Sequence, residues 1–218
     1  REAAAACNIE LQGKTMAVMG FGNAGQNAAA LGAEILGLRL VAASDSKGGV
    51  YDPKGIDPVR LIAYKLEKGM LRGFPGTKEI TNDELLRIEV AVLFPAALEN
   101  VITHENAPTL GCKICCELAN GPTTPEADRI LDNRGILVLP DFLANAGGVT
   151  VSYFEQVQNA SNFYWELHEV HRRLDTKMTH AFKSVFEMSR RNRINLREAA
   201  YLVSVGRVAE ACRLRGWA

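Results

Sequence analysis

The chain has 218 residues, 47% of them apolar, and its 25 basic and 25 acidic side chains balance to a formal net charge of zero. That length supports a sizeable buried core, and the charge balance gives no field to draw the chain to nucleic acid or an anionic membrane, so the expected ligand is a small molecule. Five cysteines in no framework spacing fit a reducing, cytoplasmic compartment, and neither a membrane span nor a secretory leader is expected.

The opening run REAAAACNIEL is made of helix formers with no capping residue before it. It reads as a helix entered partway, so residues 1–12 are expected to link to a preceding domain. Gln12 to Lys14 then turns into a first strand, Thr15 to Met19, apolar and bounded by Gly20. Gly20, Gly22 and Gly25 form a G-x-G-x-x-G between this strand and an alanine-rich helix from about Asn23 to Leu36. In such a motif the first glycine allows the tight turn, the second lets backbone approach a pyrophosphate, and the third lets helix pack on strand. The helix start aims free N–H groups at the phosphates. Leu31, Ile35 and Leu38 fall at helical spacing and are expected to face the core, with Gly37 closing the helix.

Asp45 follows at the end of the apolar run Leu38 to Ala43, where a carboxylate accepts hydrogen bonds from adenosine ribose hydroxyls. Strand, turn, helix, strand and acid together make this a specific signal for a dinucleotide site, with Gly20, Phe21, Gly22, Ala24, Gly25, Asp45 and Ser46 as expected cofactor-binding residues. The charge of Asp45 repels a 2′-phosphate and favours NAD. Ser44, Ser46 and Lys47 offer donors and a positive charge to such a phosphate, so NADP stands as the alternative.

Ser46 to Lys54 is rich in Gly, Pro and Asp and reads as loop. Asp57 caps a helix whose first position is Pro58 and which runs to about Lys68. Gly73, Pro75 and Gly76 mark an exposed connection, Asn82 starts a short helix, and Glu89 to Phe94 is a third strand stopped by Pro95. Ala96 to Asn100 then lie at its C-terminal edge, where ligands sit in such sheets. A strand at Lys113 to Glu117, a helix begun at Thr124 and Pro125 and running to Arg134, and a fifth strand at Ile136 to Leu139 follow, with Asp141 to Gly148 as a loop. The expected fold is α/β: a Rossmann-type, doubly wound, mainly parallel sheet with helices on both faces over residues 13–150, and a C-terminal helical extension over 151–218. Within the extension, Leu167, Val170, Leu174, Met178, Ala181, Val185 and Met188 mark one one-sided helix. A basic run around Arg190, Arg191 and Arg193 separates it from a last helix, Leu196 to about Leu214. That last helix is apolar on more than one face and is expected to pack on something besides its own domain.

Cys112, Cys115 and Cys116 suggest a metal site, but strand alternation puts Cys115 on the face opposite the other two, so they read as small buried thiols. His104, His168, His171 and His180 show no ligand spacing, and no metal is expected. Ser152, in the first turn of a helix after Gly147 and Gly148, reads either as a capping hydroxyl or as a polar group near the nicotinamide end, on one face with Val149.

Taken together, GFGNAG, SDSKGG, PAALEN, ELANGPTTPEAD and DFLANAGGVTVSYFE resemble the cofactor domain of the glutamate dehydrogenase family, from Arg1 to the closing RLRGW. The resemblance implies reversible oxidative deamination of glutamate to 2-oxoglutarate and ammonia with NAD or NADP, in a homohexameric parent whose acid/base lysine and aspartate belong to another, N-terminal domain. It implies that Asn23 sits over the pyrophosphate, that Ala96, Ala97 and Asn120 line the cofactor path, and that Asn145 holds the nicotinamide carboxamide. Val149 and Ser152 match positions that contact the substrate side chain. The second reading is a non-catalytic dinucleotide-binding sensor or regulatory module.

Overall fold

The computed structural model describes residues 1–217, which divide into two compact units: Arg1 with Ala3–Asp141, and Glu2 with the residues from Phe142 onward. The chain begins with a short helix, α1 (Glu2–Ala6). The alanines do not carry it to Leu11: Asn8 takes a left-handed φ of 54°, which stops the helix after Cys7.

The core of the first unit is a seven-stranded sheet of β1 (Thr15–Met19), β2 (Arg39–Asp45), β3 (Gly48–Tyr51), β4 (Lys78–Ile80), β5 (Val90–Pro95), β6 (Cys112–Cys116) and β7 (Leu137–Leu139). Its order is β4-β3-β2-β1-β5-β6-β7. The stretch from β2 through β7 is parallel, as expected for strands joined by helical crossovers. β3 and β4 add an antiparallel edge where only loop and exposed connection were expected. Asp45 pairs with Gly48, so Ser46 and Lys47 form a two-residue hairpin turn, and Gly48 supplies the φ of +131° that a side chain would resist.

Helices cover both faces. α2 (Asn23–Leu36) and α3 (Pro58–Lys68) contribute Ala29 and Leu61 to one core layer with Met16, Val18 and Leu40; α4 (Asn82–Arg87) and α5 (Pro125–Asn133) contribute Leu85, Leu86, Ala127 and Leu131 to the other. The starts lie where Asp57, Asn82 and Thr124 predict, and the Asp57, Thr81 and Thr124 side chains accept from the first-turn amides of α3, α4 and α5. The face of α2 differs from expectation. Leu31 and Ile35 are 48% and 69% exposed, while Gly25, Ala29 and Gly32 are buried. A Cβ on Gly32 would lie 2.9 Å from the Met16 sulfur, so this helix packs too close to β1 for large side chains.

The cysteines also depart from simple alternation. Cys112, the first residue of β6, joins Cys115 in one core layer, and Cys116 packs against the other. Alternation weakens at a strand's first residue, and Cys112 pairs there with Val90, which sits in the same layer. Two of these thiols are inert by environment: burial pushes Cys116 up to about 12, and a hydrogen bond with Cys112, then burial, raises Cys115 well above the usual thiol range.

The second unit is helical: α7 (Ala146–Ser161), α8 (Leu167–Asn192) and α9 (Leu196–Leu214), preceded by the short α6 (Asp141–Ala144) that crosses the boundary from the first. The segment from Asp141 to Gly148, expected as loop, is therefore mostly helical, and Gly147 and Gly148 lie in the first turn of α7. Arg190 and Arg191 belong to the last turn of α8, where cations suit the helix dipole, and Arg193 ends the helix with a left-handed φ of 56°. In α9, Leu196, Ala199 and Ala200 are buried while Leu202, Val205, Val208 and Leu214 are exposed, so its apolar residues do lie all round. Among the described residues no helix is long and apolar enough to cross a membrane.

Candidate functional site

The register of the parallel strands brings their C-terminal ends level. Met19 pairs with Ser44 on one side and Pro95 on the other, and Cys116 pairs with Leu139. The loops leaving these ends meet over the point where the chain order reverses, the place where open α/β sheets bind ligands.

The three glycines of the first loop meet different demands. Gly20 has φ +96°, and a Cβ on it would stand 2.5 Å from the Ala97 nitrogen and 2.6 Å from the Ala96 carbonyl carbon. A Cβ on Gly25 would run into the Gly20 carbonyl oxygen and approach Val18 Cγ1 to 3.0 Å. A Cβ on Gly22 would meet nothing within 4 Å. The protein's own packing therefore requires glycine at 20 and 25 but not at 22, where the open side faces outward. Gly22 is the N-cap of α2, and no described side chain caps that helix, which leaves its first-turn N–H groups for an anion. Asn23 and Ala24 are exposed beside it. The Phe21 ring is fully buried, so Phe21 can offer a ligand only backbone.

Asp45 at the tip of β2 is already engaged. Its Oδ1 accepts from the Lys47 amide at 2.8 Å and its Oδ2 from the Leu71 amide at 3.2 Å, and Lys65 Nζ stands 3.3 Å from Oδ2. With about four acceptor positions on a carboxylate, one remains on Oδ1, enough for a single ribose hydroxyl rather than several. Ser44 is completely buried with its hydroxyl unbonded in the structure. It cannot clasp a phosphate as its sequence position suggested, whereas Ser46 and Lys47 are exposed on the turn.

The far side of the crevice is stitched together by backbone. Leu118 and Ala119 amides both donate to the Pro95 carbonyl at 2.9 Å, Asn100 donates to the Gly121 carbonyl at 2.9 Å, and Ile102 forms a parallel bridge with Thr123. Ala96, half buried, and Ala97 and Asn120, both exposed, are held on this platform. Two carboxylates brace it that sequence reasoning gave no role: the Asp141 amide donates to Glu117 Oε2 and the Gly121 amide to Asp141 Oδ2, each at 2.8 Å. Glu117 is completely buried. A lone acid after an apolar strand is the only signal for it in the sequence.

Asn145, Val149 and Ser152 belong to the second unit. Asn145 is the half-buried N-cap of α7; Val149, 71% exposed, and Ser152, also exposed, lie three residues apart on that helix. Because α7 starts at Ala146, Ser152 falls in the second turn rather than the first, and the capping position belongs to Asn145. A concavity of about 510 Å³, lined by Lys14, Glu89, Gly111, Lys113 and Arg134, lies at the opposite, N-terminal edge of the strands and is shallow and exposed. Among the described residues no three His, Cys, Asp or Glu side chains gather to hold a metal ion.

A family model described as Glutamate/Leucine/Phenylalanine/Valine dehydrogenase matches residues 1–216. The chain is 50% identical over 208 residues to a glutamate dehydrogenase of Thermotoga maritima, covering 95% of this chain and 50% of the relative. It is 43% identical over 221 residues to an NAD-specific glutamate dehydrogenase of Clostridioides difficile, covering all of this chain and 52% of the relative. The chain spans about half the length of the curated relatives it matches. Among solved structures, hetero-hexameric glutamate dehydrogenase from Thermus thermophilus in a Leu-bound form superposes with a TM-score of 0.91 at 33% identity, over 98% of this chain and 50% of that one. Glutamate dehydrogenase from Peptoniphilus asaccharolyticus does so with a TM-score of 0.84 at 38% identity, over all of this chain and 51% of that one.

Proposed function

Because the chain belongs to the Glutamate/Leucine/Phenylalanine/Valine dehydrogenase family, we propose that it is the cofactor-binding part of an NAD-dependent enzyme that reversibly deaminates L-glutamate to 2-oxoglutarate and ammonia. The observation that carries this reading is Gly22: its side is open while its neighbours Gly20 and Gly25 are tightly packed, as expected where a pyrophosphate comes against backbone. Relatives named NAD-specific glutamate dehydrogenases support the cofactor and the substrate. The half-length match supports a partner domain, which bears the acid/base lysine and aspartate, and the likeness to the hetero-hexameric Thermus thermophilus enzyme supports a hexameric whole. Residues 1–12 serve as the link to that domain, 13–150 as the dinucleotide domain and 151–218 as the helical extension. The five free thiols fit a cytoplasmic protein.

When bound, the nicotinamide ring supplies the acceptor for the hydride of the substrate's α C–H bond. The chain's own part is to hold and orient. The amides of Gly22, Asn23 and Ala24 receive the pyrophosphate, the open position on Asp45 Oδ1 takes one ribose hydroxyl, and the Ala96, Ala97 and Asn120 platform carries the rest of the cofactor. Asn145 takes the carboxamide, Val149 contacts the substrate's side chain, and Ser152 donates its hydroxyl to the distal carboxylate. Holding reactants in reacting geometry removes up to about 7 to 11 kcal/mol of barrier in favourable cases.

The test is calorimetry of the purified chain with NAD, followed by glutamate and a watch for NADH absorbance. Binding without turnover is expected, because general acid–base help of about 10² to 10⁴-fold resides on the partner domain, and a full-length form should oxidise glutamate. Failure of the chain to bind NAD would overturn the reading. A full-length form that binds NAD and leaves glutamate untouched would favour a non-catalytic sensor.

A further inference from the structure

Lys65 lies on α3, far in sequence from both halves of the dinucleotide motif, yet its ammonium joins them. Its Nζ donates to the Phe21 carbonyl in the middle of the glycine turn at 2.7 Å and pairs with Asp45 Oδ2 at 3.3 Å. The lysine side chain is 20% exposed and the Asp45 side chain 7%, so both charges are largely out of water, where they act on each other and on a neighbouring charge more strongly than on an open surface. The same nitrogen stands 5.9 Å from the centre of the buried Phe21 ring. This contact, together with the carbonyl bond, fixes the lysine stem against the turn.

The charge arithmetic changes how Asp45 discriminates. A lone carboxylate at the end of this strand repels a 2′-phosphate on the adenosine ribose. Here the carboxylate is one end of an ion pair, and beyond a few ångströms the pair presents a dipole rather than a net negative charge. The backbone amides of Lys47 and Leu71 point their positive ends at the same two oxygens and weaken the field further. An ammonium carries three donors. The Phe21 carbonyl and Asp45 use two, which leaves one for an oxygen arriving at the ribose. The exposed Lys47 on the hairpin turn adds a second cation close by.

Resting on the dinucleotide reading above, we infer that Lys65 is a specificity-determining positioning residue: by tying Asp45 to the glycine turn and offsetting its charge, it lets a site built for NAD also admit the 2′-phosphate of NADP. NAD still binds more tightly, because the open position on Asp45 accepts a ribose hydroxyl that NADP lacks.

The experiment compares dissociation constants for NAD and NADP, by calorimetry, in the wild-type chain and in Lys65→Met, Lys65→Arg and Asp45→Asn. Wild type binds both, NAD more tightly. Lys65→Met keeps the aliphatic stem and loses the charge; NADP should weaken at least about tenfold and NAD less than about threefold. Lys65→Arg retains the cation and should restore the wild-type ratio to within about threefold. Asp45→Asn leaves Lys65 uncompensated and should tighten NADP at least about tenfold relative to NAD, which reads the same pair from its other end should Lys65→Met fail to fold. A Lys65→Met chain that loses both cofactors in equal measure would assign the lysine a purely structural role and overturn the inference. So would wild-type binding of NAD with no measurable NADP binding. A wild type that binds neither dinucleotide would overturn the dinucleotide reading itself, and this inference with it.

Discussion

Gly22→Val is expected to raise the dissociation constant for NAD at least about a hundredfold, about 2.7 kcal/mol, while lowering the melting temperature by no more than about 4 °C, the cost of a poorer N-cap on α2. The expectation comes from the asymmetry of the glycine turn. Gly22 has φ −79° and ψ −160°, a conformation open to any residue, and a Cβ there meets nothing within 4 Å. The protein accommodates a β-carbon there without clash, so the loss of binding is expected from the ligand side, where an isopropyl group would hold the phosphates off the α2 amides. Calorimetry and a thermal melt on one preparation separate the two effects. Binding that survives the substitution would mean that the phosphates do not lie over Gly22.

Gly25→Ala should behave in the opposite way, destabilising the fold by about 3 to 5 kcal/mol, more than the ordinary penalty of one extra methyl in a packed core. Its Cβ would collide with the Gly20 carbonyl oxygen, which is backbone, and with Val18 Cγ1. Neither can swing away as the tip of a flexible side chain could, so α2 must lift from β1 and part from the Met16 and Val18 layer. Alanine is otherwise the better helix former by about 1 kcal/mol, so a net loss would isolate the collision. Denaturant unfolding measures it directly; a loss below about 1 kcal/mol would show that α2 has room to move.

Much of this architecture was legible in the sequence because local chemistry and global fold agree. Asp57 with Pro58, Thr81 before Asn82, and Thr124 with Pro125 each name a helix start to the residue. The apolar strands, the first bounded by Gly20 and the third by Pro95, name the parallel core. What escaped was set by tertiary contact. Gly48 and Gly49 are poor strand formers, and β3 forms because a two-residue turn at Ser46 and Lys47 folds them back on β2. Leu31 and Ile35 have the spacing of a core face, but the close approach of α2 to β1 buries Gly25, Ala29 and Gly32 instead. The opening alanines favour a long helix that Asn8 ends in the left-handed region.

The candidate site divides in the same way. The glycines and Asp45 are readable because a ligand's geometry fixes their spacing. Lys65, Glu117 and Asp141 are not, since each acts across 20 or more residues of chain and leaves only an isolated charge in the sequence.

The most direct measurement is amide chemical-shift mapping of the ¹⁵N-labelled chain during an NAD titration. A dinucleotide seated at the C-terminal edge of the sheet predicts the largest shifts at residues 20–26, 45–47, 96–97 and 119–121. Shifts confined instead to Lys14, Gly111, Lys113 and Arg134 at the opposite edge, with the glycine turn unmoved, would contradict it.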